Sequence, residues 1–163
     1  MNATNLAETI RAFEQSLSNE QSFCANPEDY FRIIEYYLEQ DYCRLALEPS
    51  EQAILRYPGH TRFYLSKARI LIQLKCEKQA MALLSEVKVT PSDELSIRLL
   101  EVEALTCLGR YAQALEQIDD LKWKMGDHSP AELWVAEALV YEYRQEYERM
   151  FFALRAALQI NPR

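Results

Sequence analysis

Glycine and proline are scarce in this sequence, with three and six residues respectively among 163. Glycine and proline disfavour helix interiors and supply many of the turns in strand-rich proteins, so their scarcity argues against a strand-and-turn fold. Leu, Ala, Glu, Gln and Tyr are abundant instead. The composition therefore predicts an all-α protein of about one domain.

Basic residues are also few, with 18 Lys and Arg against 25 Asp and Glu, which gives a formal net charge of -7. Nucleic-acid affinity comes largely from cationic side chains that displace counterions from phosphate. We therefore expect neither nucleic acid nor an anionic membrane surface among the partners.

Long apolar runs and closely spaced cysteines are missing. No uncharged stretch approaches the roughly 18 residues of a membrane span, and the N-terminal residues lack the basic and apolar segments of a signal peptide. Cys24, Cys43, Cys76 and Cys107 lie far apart without a C-x-x-C pair, which argues against zinc and redox motifs. These features predict a cytoplasmic protein that needs no metal and no cofactor.

Catalytic motifs are absent as well. His60 and His128 have no His, Cys or Asp at ligand spacing, so we interpret both as residues of connections between helices. There is no glycine-rich phosphate loop and no nucleophile elbow. We predict that the protein is not an enzyme.

A 34-residue repeat is the main positive feature. Ala46, Ala80 and Ala114 are each 34 residues apart and begin similar segments, and Met150 takes that position two residues late in a fourth copy. We predict one domain over residues 27–163, after an N-terminal segment 1–26. Its predicted repeats are 27–60, 61–94, 95–130 and 131–163.

Each repeat has the apolar spacing of two amphipathic helices. Trp134, Ala138 and Tyr141 fall at i, i+4 and i+7 in the first helix of the fourth repeat, and the same spacing recurs from Met150. Such helices cannot bury their apolar faces alone, so neighbouring repeats must stack. A further amphipathic helix is predicted ahead of the repeats, as a cover for the first one, from Leu6, Ile10, Phe13 and Leu17.

Proline and capping residues mark the helix ends. Asn26 followed by Pro27 predicts a capped helix start. Pro49 lies inside a predicted helix, where we expect a kink or break with Ser50 capping a restarted helix. The remaining prolines stand at repeat ends, at Pro58, Pro91, Pro130 and Pro162.

The nine residues from Leu108 to Glu116, LGRYAQALE, resemble the turn and second helix of a tetratricopeptide repeat. The resemblance covers residues 27–163, and the layout is similar to that of bacterial stand-alone tetratricopeptide proteins. It implies an α-solenoid of about four helix-turn-helix repeats in a right-handed superhelix with an N-terminal capping helix. The family brings no enzyme activity with it.

Four positions depart from the family pattern. Arg98 stands where an aromatic residue is usual, and Lys67, Glu101 and Glu137 stand where leucine is usual. These departures concern local packing and leave the predicted fold unchanged.

The resemblance also implies a concave groove lined by the first helix of each repeat. Its lining is mostly apolar with Arg69 as a lone cation, which suits an extended or helical protein segment with hydrophobic anchors. Chaperone-binding members of the family hold a C-terminal carboxylate with Lys, Asn and Arg at set groove positions. This sequence has other residues at those positions. Alternatively, single residues such as Leu65 pack against neighbouring repeats. The implied groove positions are Phe31, Glu35, Leu38, Leu65, Arg69, Ile72, Leu99, Glu103, Thr106, Val135, Leu139 and Tyr143.

Three functions remain open from the sequence. The first is an adaptor that binds a peptide or protein segment in the groove. The second is a chaperone similar to those of type III secretion, which usually have three repeats. The third is the repeat portion of a larger protein or a homo-oligomer that associates through its last helix, motivated by Phe152, Leu158 and Ile160.

Overall fold

The computed structural model describes residues 3–19, 23–88 and 90–161, so Pro162 lies outside the described residues. Within these ranges the chain forms nine α-helices and no strand, which confirms the all-α prediction. The chain divides into two compact units, residues 1–74 and 75–163. The predicted repeat boundaries stay a prediction. The helices are α1 Ala3–Ser18, α2 Pro27–Glu39, α3 Cys43–Arg56, α4 Thr61–Gln73, α5 Glu77–Glu86, α6 Glu94–Cys107, α7 Tyr111–Met125, α8 Ala131–Tyr143 and α9 Tyr147–Ile160.

Helices α1 to α4 form the first unit. The predicted amphipathic helix α1 is present, with Ile10 and Phe13 buried and Leu17 exposed at its end. It packs against α2, where the Tyr37 hydroxyl donates a hydrogen bond to Oε1 of Glu14 at 3.1 Å. Packing of its apolar face against α2 therefore contributes to the stability of α1.

An aromatic chain holds the connection between α1 and α2. Phe23 makes edge-to-face contacts with Phe13 on one side and Tyr30 on the other, with ring centroids 5.2 and 5.6 Å apart. The hydroxyl of Tyr30 donates to the Phe23 carbonyl at 3.0 Å, and that of Tyr57 donates to the Ala25 carbonyl at 2.7 Å. The buried Tyr30 and the half-buried Tyr57 therefore satisfy backbone carbonyls of this connection.

The two local predictions for α2 and α3 have opposite outcomes. The Asn26 cap is confirmed, because its side-chain oxygen accepts a hydrogen bond from the Asp29 amide at 2.9 Å. The predicted break at Pro49 is wrong, because α3 is a single helix with Pro49 inside it, whereas the alternative of a kink stays a prediction. Ser50 does not cap a new helix, and its hydroxyl donates to the Leu47 carbonyl at 2.6 Å. Both α2 and α4 pack against α3, and this packing outweighs a local penalty of about 3 kcal/mol.

Helices α5 to α9 form the second unit, in which α6 packs against α5, α7 and α8, and α8 packs against α7 and α9. One core cluster joins Val102 and Leu105 of α6, Ala114 and Ile118 of α7, and Val140 of α8. The small Ala114 is fully buried, and a small side chain at such a contact lets helices approach closely.

A left-handed backbone residue recurs in the turns between helices, at intervals of 34, 34 and 36 residues. Its φ is 61° at Asp41, 61° at Lys75, 73° at Gly109 and 60° at Gln145. After Asp41 the next amide donates to a carbonyl five residues back, at 2.8 Å, and the same bond follows Gly109 and Gln145 at 2.9 Å. This hydrogen bond satisfies a carbonyl at the helix end.

The longer third interval arises between α7 and α8. Helix α7 has 15 residues, whereas α3 has 14. The connection after α7 spans residues 126–130 and includes a 3-10 turn, Gly126–His128, whereas the connection after α3 spans 57–60. One extra residue therefore lies in the helix and one in the connection.

Candidate peptide-binding surfaces

The implied groove residues lie on four helices, two in each unit. The first unit carries Phe31, Glu35 and Leu38 on α2, and Leu65, Arg69 and Ile72 on α4. We call these residues the α2/α4 face. The second unit carries Leu99, Glu103 and Thr106 on α6, and Val135, Leu139 and Tyr143 on α8, which we call the α6/α8 face.

Two members of the α2/α4 face are buried. Phe31 is only 6% exposed, because its ring stacks on Phe63 with centroids 4.1 Å apart and the Arg62 guanidinium lies 4.1 Å from its centroid. Ile72 is 2% exposed. The accessible part of this face consists of the exposed Glu35 and Arg69 and the half-buried Leu38 and Leu65.

The α6/α8 face is more open and more apolar. Val135, Leu139 and Tyr143 follow one another at four-residue spacing along α8, so they share one side of the helix. Val135 is 51% exposed and Tyr143 is 43% exposed, whereas Leu139 is half-buried.

Helix α6 supplies the second wall of this face. Leu99 and Glu103 are half-buried, whereas Thr106 is buried and donates its hydroxyl hydrogen bond to the Val102 carbonyl at 2.7 Å. At the C-terminal ends of the two helices, the Cys107 sulfur lies 3.6 Å from the Tyr143 hydroxyl oxygen. The hydrogen bond with Cys107 and the charge of the Cys107 thiolate raise the pKa of Tyr143. Burial of the phenol and the charges of Glu103 and Glu142 raise it further. The phenol is therefore neutral at physiological pH.

The four residues that depart from the family pattern form ion pairs. Lys67 of α4 pairs with Glu51 of α3 at 2.8 Å, and Arg98 pairs with Glu101 along α6 at 2.8 Å. Where leucine would make an apolar contact at Lys67, the structure therefore has a charged contact to the preceding helix.

Glu137 is the most enclosed of these departures. Its carboxylate pairs with the Lys122 ammonium of α7 at 2.5 Å, and that ammonium lies 3.3 Å from the centroid of the Trp134 ring. The Tyr141 hydroxyl donates to the other carboxylate oxygen at 3.4 Å. Burial and the Glu137 charge raise the pKa of Tyr141, against the opposing effect of Arg149. Sequence reasoning singled out Glu137 but missed Lys122, although a lysine on the preceding helix was a visible signal.

Residue types that bind metals do not cluster in the described ranges. No three His, Cys, Asp or Glu residues of residues 3–19, 23–88 and 90–161 come together as a metal-binding group. His60 precedes α4 and His128 lies in the 3-10 turn after α7, so both are in connections, as predicted. Among the helices of the same ranges, none has the length and apolar character needed to cross a membrane.

Comparison with known proteins gives structural neighbours alone. No family model matches the sequence, and no curated protein matches it. The solved structure of YrrB, described as a TPR protein with an unusual peptide-binding site, has a TM-score of 0.63 at 18% identity, covering 98% of this chain and 79% of that chain. A structure described as MamA MSR-1 C2 has a TM-score of 0.60 at 20% identity, covering 98% of this chain and 89% of that chain. These similarities confirm the predicted fold class: the chain has the tetratricopeptide-repeat fold.

Proposed function

We propose that this chain is a non-enzymatic protein-binding module that holds a segment of another polypeptide on the α6/α8 face. The observation that carries this proposal is the apolar row of Val135, Leu139 and Tyr143, two of which are large and exposed. Exposed apolar patches of this kind are uncommon without a binding role. The likeness to YrrB, whose description names a peptide-binding site, supports the same function.

The spacing of this row favours an extended segment. Residues four apart on a helix are separated by about 6 Å along its axis, and alternate residues of an extended chain are separated by about 6.6 Å. Apolar side chains at i, i+2 and i+4 of a bound strand-like segment would therefore reach Val135, Leu139 and Tyr143 in turn. Leu99 contributes to the second wall.

The charge around the face favours a segment with basic residues beside its apolar anchors. Glu132 and Glu142 are exposed on α8, and Glu103 is half-buried on α6. A carboxylate-rich surface attracts cationic segments and repels acidic ones. This acidic rim agrees with the overall charge of -7.

The α2/α4 face is a second, smaller patch in this proposal. Glu35, Leu38, Leu65 and Arg69 remain accessible there, whereas the buried Phe31 and Ile72 cannot act as anchors without rearrangement.

Peptide selection followed by direct binding tests the proposal. A displayed library of random twelve-residue peptides is selected on the purified protein, and enriched peptides are synthesised and titrated by fluorescence anisotropy. Val135→Glu should raise Kd at least about ten-fold, because a charge then faces an apolar anchor. Trp123→Glu is the matched control, since Trp123 is 85% exposed on α7 of the same unit, and its Kd should stay within about two-fold.

Two results would contradict the proposal. One is a selection that enriches no peptide. The other is a set of enriched peptides that bind the Val135→Glu variant as tightly as the unchanged protein, provided that both proteins have the same helical circular dichroism.

A further inference from the structure

Helix α9 carries an uncovered apolar row. Tyr147, Phe151, Leu154 and Leu158 lie at i, i+4, i+7 and i+11, so they form one continuous row on the helix, which we call the α9 stripe. Their exposed fractions run from 38% to 61%. Phe152 and Ile160, also exposed, point away from this row by the helical periodicity.

Helix α7 shows what such a row does when it is covered. The residues 36 positions before the α9 stripe are Tyr111, Leu115, Ile118 and Lys122. Lys122 pairs with Glu137 of α8. Ile118 is fully buried, and Tyr111 and Leu115 pack against the cluster that joins α6, α7 and Val140 of α8. The row on α7 is therefore a helix-binding surface.

The α9 stripe is more apolar than its counterpart on α7. Leu158 takes the position of Lys122, whose ammonium meets Glu137 and the Trp134 ring of α8. A partner for α9 therefore needs no carboxylate at that point, and an apolar helix fits it. No other helix covers this stripe in the part of the second unit that the structure describes.

We propose that the α9 stripe binds the α9 stripe of a second copy of this chain, as an antiparallel helix pair related by a two-fold axis. The stripe is symmetric about the midpoint between Phe152 and Ala153. Antiparallel docking therefore sets Phe151 opposite the partner's Leu154 and Tyr147 opposite the partner's Leu158. A two-fold pair uses the same surface on both copies, so one self-complementary stripe is sufficient.

Charge complementarity supports this orientation. Glu148 and Arg155 are seven residues apart on the same side of α9, next to the stripe. Neither forms an ion pair within the described residues. Antiparallel pairing brings Glu148 beside the partner's Arg155 twice. Helix α9 holds one glutamate and two arginines, so an approach through α9 avoids adding to the repulsion between two chains of charge -7.

The size of the stripe predicts a weak dimer. Its four side chains expose on the order of 400 Å² per copy, since an aromatic side chain offers about 150–250 Å² in full. That area is below the roughly 800 Å² per partner of a standard stable interface. We therefore expect a Kd between about 10 and 300 μM, because the free energy gained by burying so small an apolar area must offset the cost of association.

Sedimentation of the whole chain from about 5 μM to 1 mM, a range set by the expected Kd, tests the pairing. A monomer–dimer equilibrium is expected, and Phe151→Glu should raise its Kd at least about ten-fold by placing two carboxylates in the apolar row. Leu55→Glu is the matched control, because Leu55 is 84% exposed on α3 and should leave the Kd unchanged. A chain that stays monomeric throughout, or a dimer that Phe151→Glu leaves intact, overturns the proposal.

A charge exchange tests the antiparallel orientation. Glu148→Arg alone should raise the Kd about three- to ten-fold at low salt, because it places two arginines together at both ends. The double variant Glu148→Arg with Arg155→Glu should restore the original Kd within about two-fold, since the pair is then reversed rather than broken. A double variant that associates no better than the single one overturns this pairing. The α6/α8 face is not involved, so peptide binding should be the same in all these variants.

Discussion

The Lys122–Glu137 ion pair gives the sharpest test of how α7 is held against α8. Its side chains are only 15% and 14% exposed, so each charge depends on the other for compensation. Replacing one partner leaves an uncompensated charge in a largely buried place, which costs about 3–5 kcal/mol when burial is complete. With the remaining solvent exposure we expect Glu137→Leu to lower the free energy of unfolding by about 2–3 kcal/mol.

A double variant, in which both Lys122 and Glu137 are replaced, measures the interaction between the two charges apart from their other contacts. Lys122→Leu alone leaves the Glu137 carboxylate with only the Tyr141 hydroxyl and should cost about 2 kcal/mol or more. Replacing both residues by leucine removes both charges at once, and buried pairs replaced in this way often lose little stability. We expect the double variant to be more stable than the sum of the single variants implies, with a coupling free energy of at least about 2 kcal/mol.

Both tryptophans of the chain, Trp123 and Trp134, lie in the second unit. Urea unfolding followed by tryptophan fluorescence therefore reports on that unit even if the two units unfold separately. Arg98→Ala is the control, since Arg98 is 44% exposed in its pair with Glu101 and such pairs contribute about 0.5 kcal/mol. Single-variant losses that simply add in the double variant would refute the reasoning.

Two further predictions concern single residues. Burial and the Glu14 hydrogen bond raise the pKa of Tyr37 to about 12, so its contribution is complete below pH 10 and disappears as pH rises from 10 to 12. The free energy of unfolding of the unchanged protein should fall by about 1–3 kcal/mol between pH 10 and pH 12. The fall should be smaller in the Tyr37→Phe variant, and an equal fall in both proteins would contradict the reasoning. Gly109→Ala should destabilise by about 1 kcal/mol and Gln145→Gly should stabilise by about 0.5 kcal/mol, because each residue has φ near +60° to +73°. Thermal unfolding checks both, and shifts of the same sign would contradict the reasoning.

Local features could be read from the sequence because they depend on a few neighbouring residues. The Asn26 cap needs only the amide three positions later, and the burial of Ile10 and Phe13 follows from the apolar spacing of α1. The break expected at Pro49 is absent because the course of α3 depends on residues that are distant in the sequence. Packing of α3 between two helices is not visible in its own sequence, and it outweighs the local preference.

The candidate site shows the same limit. The family resemblance implied the same kind of groove position for Phe31 and Val135, yet Phe31 is buried and Val135 is half-exposed. The difference comes from Phe63 and Arg62, which stack on and cover the Phe31 ring. Coverage by another helix's side chains cannot be derived from a position in the family pattern alone. Oppositely charged residues such as Glu51 and Lys67 were, in contrast, a readable signal once the helices were placed.

The two extra residues, one in α7 and one in the connection to α8, have a consequence for how the chain can be rearranged. They lengthen one helix and the connection after it, yet the turn that follows at Gln145 keeps the geometry of the turn at Asp41. Length is thus taken up in the joint that follows a hairpin and leaves the bend of the next hairpin unchanged. Each helix–turn–helix segment can therefore be exchanged as a unit, with the fusion points placed in the connections between segments.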